Sequence, residues 1–216
     1  MIRANPDLRG RLTKIDLDYW TPDRLFQIAE KGFGILEIDF DTASLKLLAE
    51  EAAGSPQLMQ ALCLNACFEA GIREKPASVV TLPHSQAFLT SVCSRTSAMS
   101  DHTSVLNVMK EGPKSRGQAR NAYTLKSGET LDVYPIIVRA ISLDPPELTF
   151  RYQNLLDRIC QLCKSDAPSG SSVTGSCSQI ALLANATSGY EIIEWDADHD
   201  VLDLRDPYLL FFIRWS

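Results

Sequence analysis

The chain has 216 residues, enough for one large or two small domains, and its 45% hydrophobic and 22% charged residues are ordinary for a protein that folds around a sizeable core. A formal charge of −6 argues against broad nonspecific attachment to nucleic acid or to an anionic membrane, and favours protein partners. No apolar run approaches the roughly 18 residues of a membrane span, and Met1-Ile2-Arg3-Ala4-Asn5-Pro6 does not open like a signal peptide, so no membrane association and a cytoplasmic location are expected.

Near the start of the chain lies the stretch Leu8-Arg9-Gly10-Arg11-Leu12-Thr13-Lys14-Ile15-Asp16-Leu17. After Trp20, Thr21 can cap a helix with Pro22 at its first position and Asp23 in its first turn. Leu25, Phe26 and Ala29 give it an apolar face, and Gly32 is expected to stop it. Ile35, Leu36 and Ile38 read as a brief extended connection. Asp41 or Thr42 can then cap a second helix that carries Leu45, Leu48 and Ala52 as far as Gly54. Ser55 caps a third, residues 56–70, with apolar side chains at 58, 59, 62, 63, 66 and 67 and an end at Gly71. Together the three helices can close one small core.

Over residues 73–131 the pattern becomes irregular, interrupted by Ser, Thr, Pro and Gly. Ser100-Asp101 can cap a helix bearing Val105, Leu106, Val108 and Met109 that ends near Gly112-Pro113. The most basic segment follows: Lys110, Lys114, Arg116, Arg120 and Lys126 oppose only Glu111, and Tyr123 is its one aromatic residue. A solvated loop accounts for it simply. The functional account places these cations on nucleic-acid phosphate or an acidic partner, with weak, salt-sensitive binding. Residues 125–133 around Ser127-Gly128 form a hairpin signal.

The final third runs through residues 134–141, 148–164 and 173–186 at helical periods. Two strand signals follow at 191–195 and 201–204, joined by Asp196-Ala197-Asp198-His199-Asp200. This is the element order of a winged helix. Its third helix has no Lys or Arg between 173 and 186, and seven acids face only Arg205 across 191–206, so protein contact fits it better than DNA readout. Asp206-Pro207 opens a last helix whose Tyr208, Phe211, Phe212 and Trp215 need covering, either by the chain's own cores or at an interface with another subunit.

The six cysteines suggest packing rather than metal. Cys63 and Cys67 share the apolar face of their helix, while Cys160 and Cys163 form a C-x-x-C without the second ligand pair that zinc needs, so no metal site is expected. His84, His102 and His199 occur singly. No catalytic residue is assigned, and the chain alone is not expected to be an enzyme.

The opening stretch, the capped helix after Trp20 and the later Gly54-Ser55-Pro56-Gln57-Leu58-Met59 resemble the end of a P-loop ATPase core passing into the helical lid of AAA+ and related STAND-type ATPases. The likeness covers residues 8–71, and Asp206-Pro207-Tyr208-Leu209-Leu210-Phe211-Phe212-Ile213-Arg214-Trp215 resembles the closing element of the winged-helix portion in some prokaryotic STAND-like ATPases. No G-x-x-x-x-G-K-[ST] loop occurs in the sequence.

The resemblance implies that Arg9 and Arg11 match the segment carrying an arginine finger. It also implies that Gln57 stands, as a neutral amide, where a lid normally carries a sensor arginine. ATP and magnesium would bind only with a P-loop ATPase core joined in cis or supplied in trans. The implied role is a non-catalytic regulatory and output portion, coupling nucleotide state to oligomerisation or to contact with a protein partner in prokaryotic defence or signalling. The expected architecture is mainly α with small β hairpins: the end of an ATPase core and a helical lid-like module over residues 1–75, an irregular basic linker region over 76–130, and a winged-helix-like domain over 131–216. The alternative is a winged-helix DNA-binding regulator that uses the basic linker, and a stand-alone hydrolase is a weaker third.

Overall fold

The computed structural model describes residues 19–114, 117 and 119–216, and over these the chain is mainly α with small strand pairs. The first core is built from α1 (Pro22–Leu36), β1 (Ile38–Asp39), α2 (Thr42–Glu51), α3 (Pro56–Glu69), β2 (Val80–Thr81) and α4 (Gln86–Ser97). Three of its helices start on side-chain caps. Asp41 accepts from the amides of Ala43 and Ser44, both at 3.0 Å, while Ser55 and Ser85 each accept at 3.2 Å from the third residue onward. β1 and β2 pair in parallel, Ile38 opposite Val80 and Asp39 opposite Thr81.

Gly32 does not stop α1, which runs on through Gly34 to Leu36 and ends with Glu37 in the left-handed region at φ 60°. Phe33 explains the extension. It lies one turn beyond Ala29 on the stripe begun by Leu25, and all three are buried. Burying a phenylalanine contributes roughly 1.5–3 kcal/mol, against about 1 kcal/mol lost for an interior glycine. Residues 73–131 are also more regular than their composition indicates. They hold α4, and Leu89, Val92, Cys93 and Thr96 are buried along its length.

The second core takes α5 (Thr103–Glu111), the hairpin β3 (Tyr123–Thr124) and β4 (Thr130–Leu131), α6 (Val133–Ile141), β5 (Thr149–Arg151), α7 (Tyr152–Leu162), α8 (Gly170–Ser188), β6 (Ile193–Asp196) and β7 (Val201–Leu204). The stretch 76–130 thus contains α4, α5 and β3, with α5 packed mainly on α8 and α6. β5, β7 and β6 form an antiparallel sheet in that order. The helical signal over 148–164 concealed β5, because Phe150 is at once the buried centre of a three-residue strand, opposite Leu202, and the start of the apolar run of α7. Asn185 ties the end of α8 to β6: its Oδ1 accepts from the amides of Ile192 and Ile193, and its Nδ2 donates to the Ile193 carbonyl at 2.8 Å.

The last helix, α9 (Pro207–Trp215), belongs to both cores. Leu209, Leu210 and Phe212 pack into the second, while Phe211, 1% exposed, enters the first with Tyr208 and Trp215 beside it. The residues that the composition offered for an interface are therefore covered largely by the chain itself. A helix apolar on nearly every side satisfies itself by lying between two apolar bodies.

Candidate functional site

The two cores meet along a seam assembled from the C-terminal ends of α2 and α9 and the turn that follows α6. Glu51 closes α2, and its carboxylate takes a two-point contact from Arg214, Nε to Oε2 at 3.0 Å and Nη2 to Oε1 at 2.6 Å, both side chains being only 8% exposed. The indole Nε1 of Trp215 donates to the same Oε2 at 2.6 Å. The remaining Arg214 donors reach the Ser142 carbonyl at 2.5 Å and Asp144 Oδ1 at 2.7 Å. Burial depresses the Arg214 guanidinium, but the hydrogen bonds it donates to Glu51 and Asp144 outweigh it and the net direction is upward.

A second guanidinium grips the same turn from α7. Arg158 donates to the carbonyls of Leu143 and Pro145, each at 2.7 Å, pairs with Glu147 at 3.2 Å and lies 4.9 Å over the ring of Phe150. Its burial pulls its pKa down. Residues 142–147 are thus held by Arg214 on one side and Arg158 on the other, which fixes where Pro145 and Pro146 stand.

Those prolines form one wall of a cleft of about 360 Å³, faced by Tyr19, Trp20, Pro22, Ala53 and Gly54. Tyr19 and Trp20 are 49% and 41% exposed, and the Trp20 amide donates to the Gly54 carbonyl at 2.9 Å. Gly54 is required twice over. Its φ is +82°, and a Cβ would meet that of Tyr19 at 2.6 Å. Burial raises the pKa of the Tyr19 phenol, with a further push from Asp203 and Asp206. Among the described residues, Glu50 and Glu147 are the charged ones lining the cleft, and its aromatic and proline walls suit a flat or apolar group.

Arg9, Arg11 and Arg116 lie outside the described residues. Gln57 is exposed in the first turn of α3, three residues from Gly54, and does not line the cleft. Lys110, Lys114 and Lys126 are exposed. Arg120 is not a free cation: Nη1 donates to the Glu111 carbonyl at 2.7 Å and to Asp132 at 2.8 Å, Nη2 donates to the Pro113 carbonyl, and the guanidinium stands 4.5 Å over the ring of Tyr134. Gly112, at φ +63°, lets that ring pack against the backbone, where a Cβ would come within 2.6 Å of it. Arg120, offered by the sequence for nucleic-acid phosphate or an acidic partner, here pins α5 to α6 through acceptors of the chain itself. Phe211 and Phe212 are likewise buried by the cores, leaving Tyr208 and Trp215 half-buried.

The six cysteines are all free, and burial pushes the Cys63, Cys93 and Cys177 thiols up to about 12, which removes them as nucleophiles near neutral pH. Among the described residues no group of three or more His, Cys, Asp or Glu side chains is placed to hold a metal ion, and no helix is long and apolar enough to cross a membrane. His199 sits 2.7 Å from Asp196 on an exposed turn, and His102 sits 3.8 Å from Asp206 at the start of α9. Glu51, Asp144, Arg158 and Arg214 carry the seam, and sequence reasoning found none of them, since Glu51 and Arg214 are 163 positions apart. The chain matches no protein-family model, no curated protein and no solved structure.

Proposed function

We propose that this chain is the non-catalytic regulatory and output portion of a larger cytoplasmic ATPase, a lid-like module joined to a winged-helix-like module, and that it couples nucleotide state to oligomerisation or protein contact. The observation that carries the reading is the cleft. In it the residues just after the core-like opening stretch, Tyr19 and Trp20, meet both Gly54 of the lid-like turn and Pro145-Pro146 of the second core. A P-loop core docked ahead of Tyr19 would press on both modules at once, and ATP with magnesium would be held by that core. The order α6, β5, α7, α8, β6, β7 with sheet order β5-β7-β6 supports the winged-helix-like reading of the second module. The DNA-regulator alternative draws less support, because Arg120 is engaged internally and α8 (Gly170–Ser188) carries no Lys or Arg.

The test combines this chain with a P-loop ATPase core, fused upstream or added in trans, and follows association by analytical ultracentrifugation in ADP and in a non-hydrolysable ATP analogue with magnesium. The two nucleotides are expected to shift association by roughly tenfold, within the usual span of coupling between sites. The chain alone should gain no thermal stability from magnesium ATP. Identical association in both nucleotides, or ATP stabilisation of the isolated chain that Arg11→Ala abolishes, would overturn the reading.

A further inference from the structure

The cleft walled by Tyr19 and Trp20 on one side and by Pro145 and Pro146 on the other carries charge as well as flat apolar surface. Both aromatic side chains are about half exposed, so a planar group laid between the walls meets a ring on one face and proline on the other. The acids stand on the same two walls. Glu50 is exposed on α2, and Glu147 follows the two prolines. Glu147 Oε2 accepts from Asn154 at 3.0 Å and pairs with Arg158 at 3.2 Å, while nothing among the described residues bonds to its Oε1. Burial, then the charge of Asp203, pushes the pKa of the Tyr19 phenol up; Arg205 opposes this and Asp206 adds to it, so the acids outweigh the arginine at the aromatic wall.

We infer that this cleft binds the arginine side chain of a partner peptide. A guanidinium is planar, weakly hydrated, stacks on aromatic faces and donates from a fixed fork. Each property has its counterpart here: aromatic and proline walls for its two faces, and the Glu50 and Glu147 carboxylates for its donors. A neutral aromatic group fills the same walls but draws nothing from the carboxylates. An ammonium draws on them as a point charge and leaves the facing walls unused. The size also suits a single side chain, since about 360 Å³ lies at the small end of ligand pockets. A peptide is favoured over a free cation by the neighbouring strand. Among the described residues β5 pairs with β7 alone, which makes it an edge of its sheet, and its Thr149 lines the cleft. An extended backbone laid along that edge adds main-chain hydrogen bonds to those of the side chain. The inference stands without the ATPase reading, because the binding needs no nucleotide and is measured in its absence.

The experiment follows the indole N–H signals of the full chain by NMR, that of Trp20 being identified by its loss in Trp20→Phe. The probe is an acetylated and amidated five-residue peptide with one arginine between alanines, added at low salt. The Trp20 signal should move saturably, and the binding should weaken as salt is added. The same peptide with citrulline, which keeps the shape and loses the charge, should bind about tenfold more weakly. The lysine peptide and methylguanidinium alone should both bind more weakly than the arginine peptide. Glu50→Gln should weaken the arginine peptide by about two- to fivefold and leave the citrulline peptide unchanged. Equal binding of the citrulline peptide would make the cleft an apolar site, equal binding of the lysine peptide would remove the guanidinium, and equal binding of methylguanidinium would leave a site for a free cation. Self-association of the chain that Trp20→Ala abolishes, with no response to peptide, would give the cleft to a second copy. Each of these overturns the inference, and the ligand comparisons use the parent chain, so they hold even if a Trp20 variant fails to fold.

Discussion

The seam and the β6–β7 hairpin use the same chemistry, and they differ in water. At the seam, Arg214 lies between Glu51, Asp144 and the Ser142 carbonyl, with Glu51 almost wholly buried and Asp144 open to water. On the β6–β7 hairpin, Arg205 pairs with Glu194 at the open end and His199 with Asp196 at the turn, both on the open surface. A buried pair need not add stability over an apolar replacement, yet it makes each partner depend on the other, because removing one strands the other's charge. An exposed pair has solvent as a substitute. The seam therefore fixes geometry, and the hairpin mostly sets surface charge.

The sharpest way to break this comparison is to take one partner from the seam. Arg214→Leu or Glu51→Leu alone should each cost about 3–5 kcal/mol in urea unfolding, while the double Leu variant should lose clearly less than the sum of the two. Additive losses would mean that the two side chains do not depend on each other as the geometry indicates. The indole of Trp215, which also donates to Glu51, is expected to report the change through its fluorescence.

A smaller loss is expected at Arg120, whose position is intermediate between the two extremes. Arg120→Ala leaves the Glu111 and Pro113 carbonyls and Asp132 without their donor, and should cost about 1–3 kcal/mol. Arg120→Lys should not restore it, since an ammonium cannot serve three acceptors from one plane over the Tyr134 ring. Lys114→Ala, at an exposed neighbour, should stay within about 0.5 kcal/mol. Equal effects at the two positions would return Arg120 to the class of solvated cations.

The same division between local and distant explains how much of the molecule the chain revealed. The starts of α2 and α3 were legible, because a cap and an apolar stripe lie within one short window, as Ser55, Leu58, Met59 and Leu62 do. α4 was not, since Ser and Thr make up five of the 12 residues of Gln86–Ser97 and conceal the spacing of Leu89, Val92 and Thr96, although Ser85 is an ordinary cap. The cleft was half legible: the Gly54 turn stood out, but nothing local to it names Pro145 as its opposite wall. The Glu51–Arg214 contact had no local trace at all. A single charged residue in an apolar helix reads as a surface position until the fold carries a carboxylate to it.

At the exposed end, Arg205→Ala should change stability by no more than about 1 kcal/mol despite contacts with both Glu194 and Asp203, and the change should shrink in salt. A loss rivalling that of the seam variants would show that the β6–β7 edge is a structural joint rather than a charged rim.

The smallest effect belongs to His199 and Asp196, and it is best read by titration. The hydrogen bond that His199 donates to Asp196, then the aspartate's charge, raises the pKa of His199, and the same hydrogen bond comes first in lowering that of Asp196. The signs are opposite. The histidine's contribution is present below its unfolded value and is lost as pH rises through the raised folded one. The aspartate's is present above its unfolded value and is lost as pH falls through the lowered one. The charged pair is therefore complete only between those two folded values, a window around mildly acid pH. NMR titration should show His199 falling back towards the ordinary imidazole range in Asp196→Asn, with the thermal midpoint almost unmoved because both side chains remain in water. The turn also keeps backbone contacts that the substitution can retain, since Asp196 Oδ1 accepts from the amides of Asp198 and His199 and an asparagine oxygen can do the same. If Asp196→Asn lowers the midpoint as far as Arg120→Ala does, then exposure is the wrong measure of what a charge pair contributes to this fold.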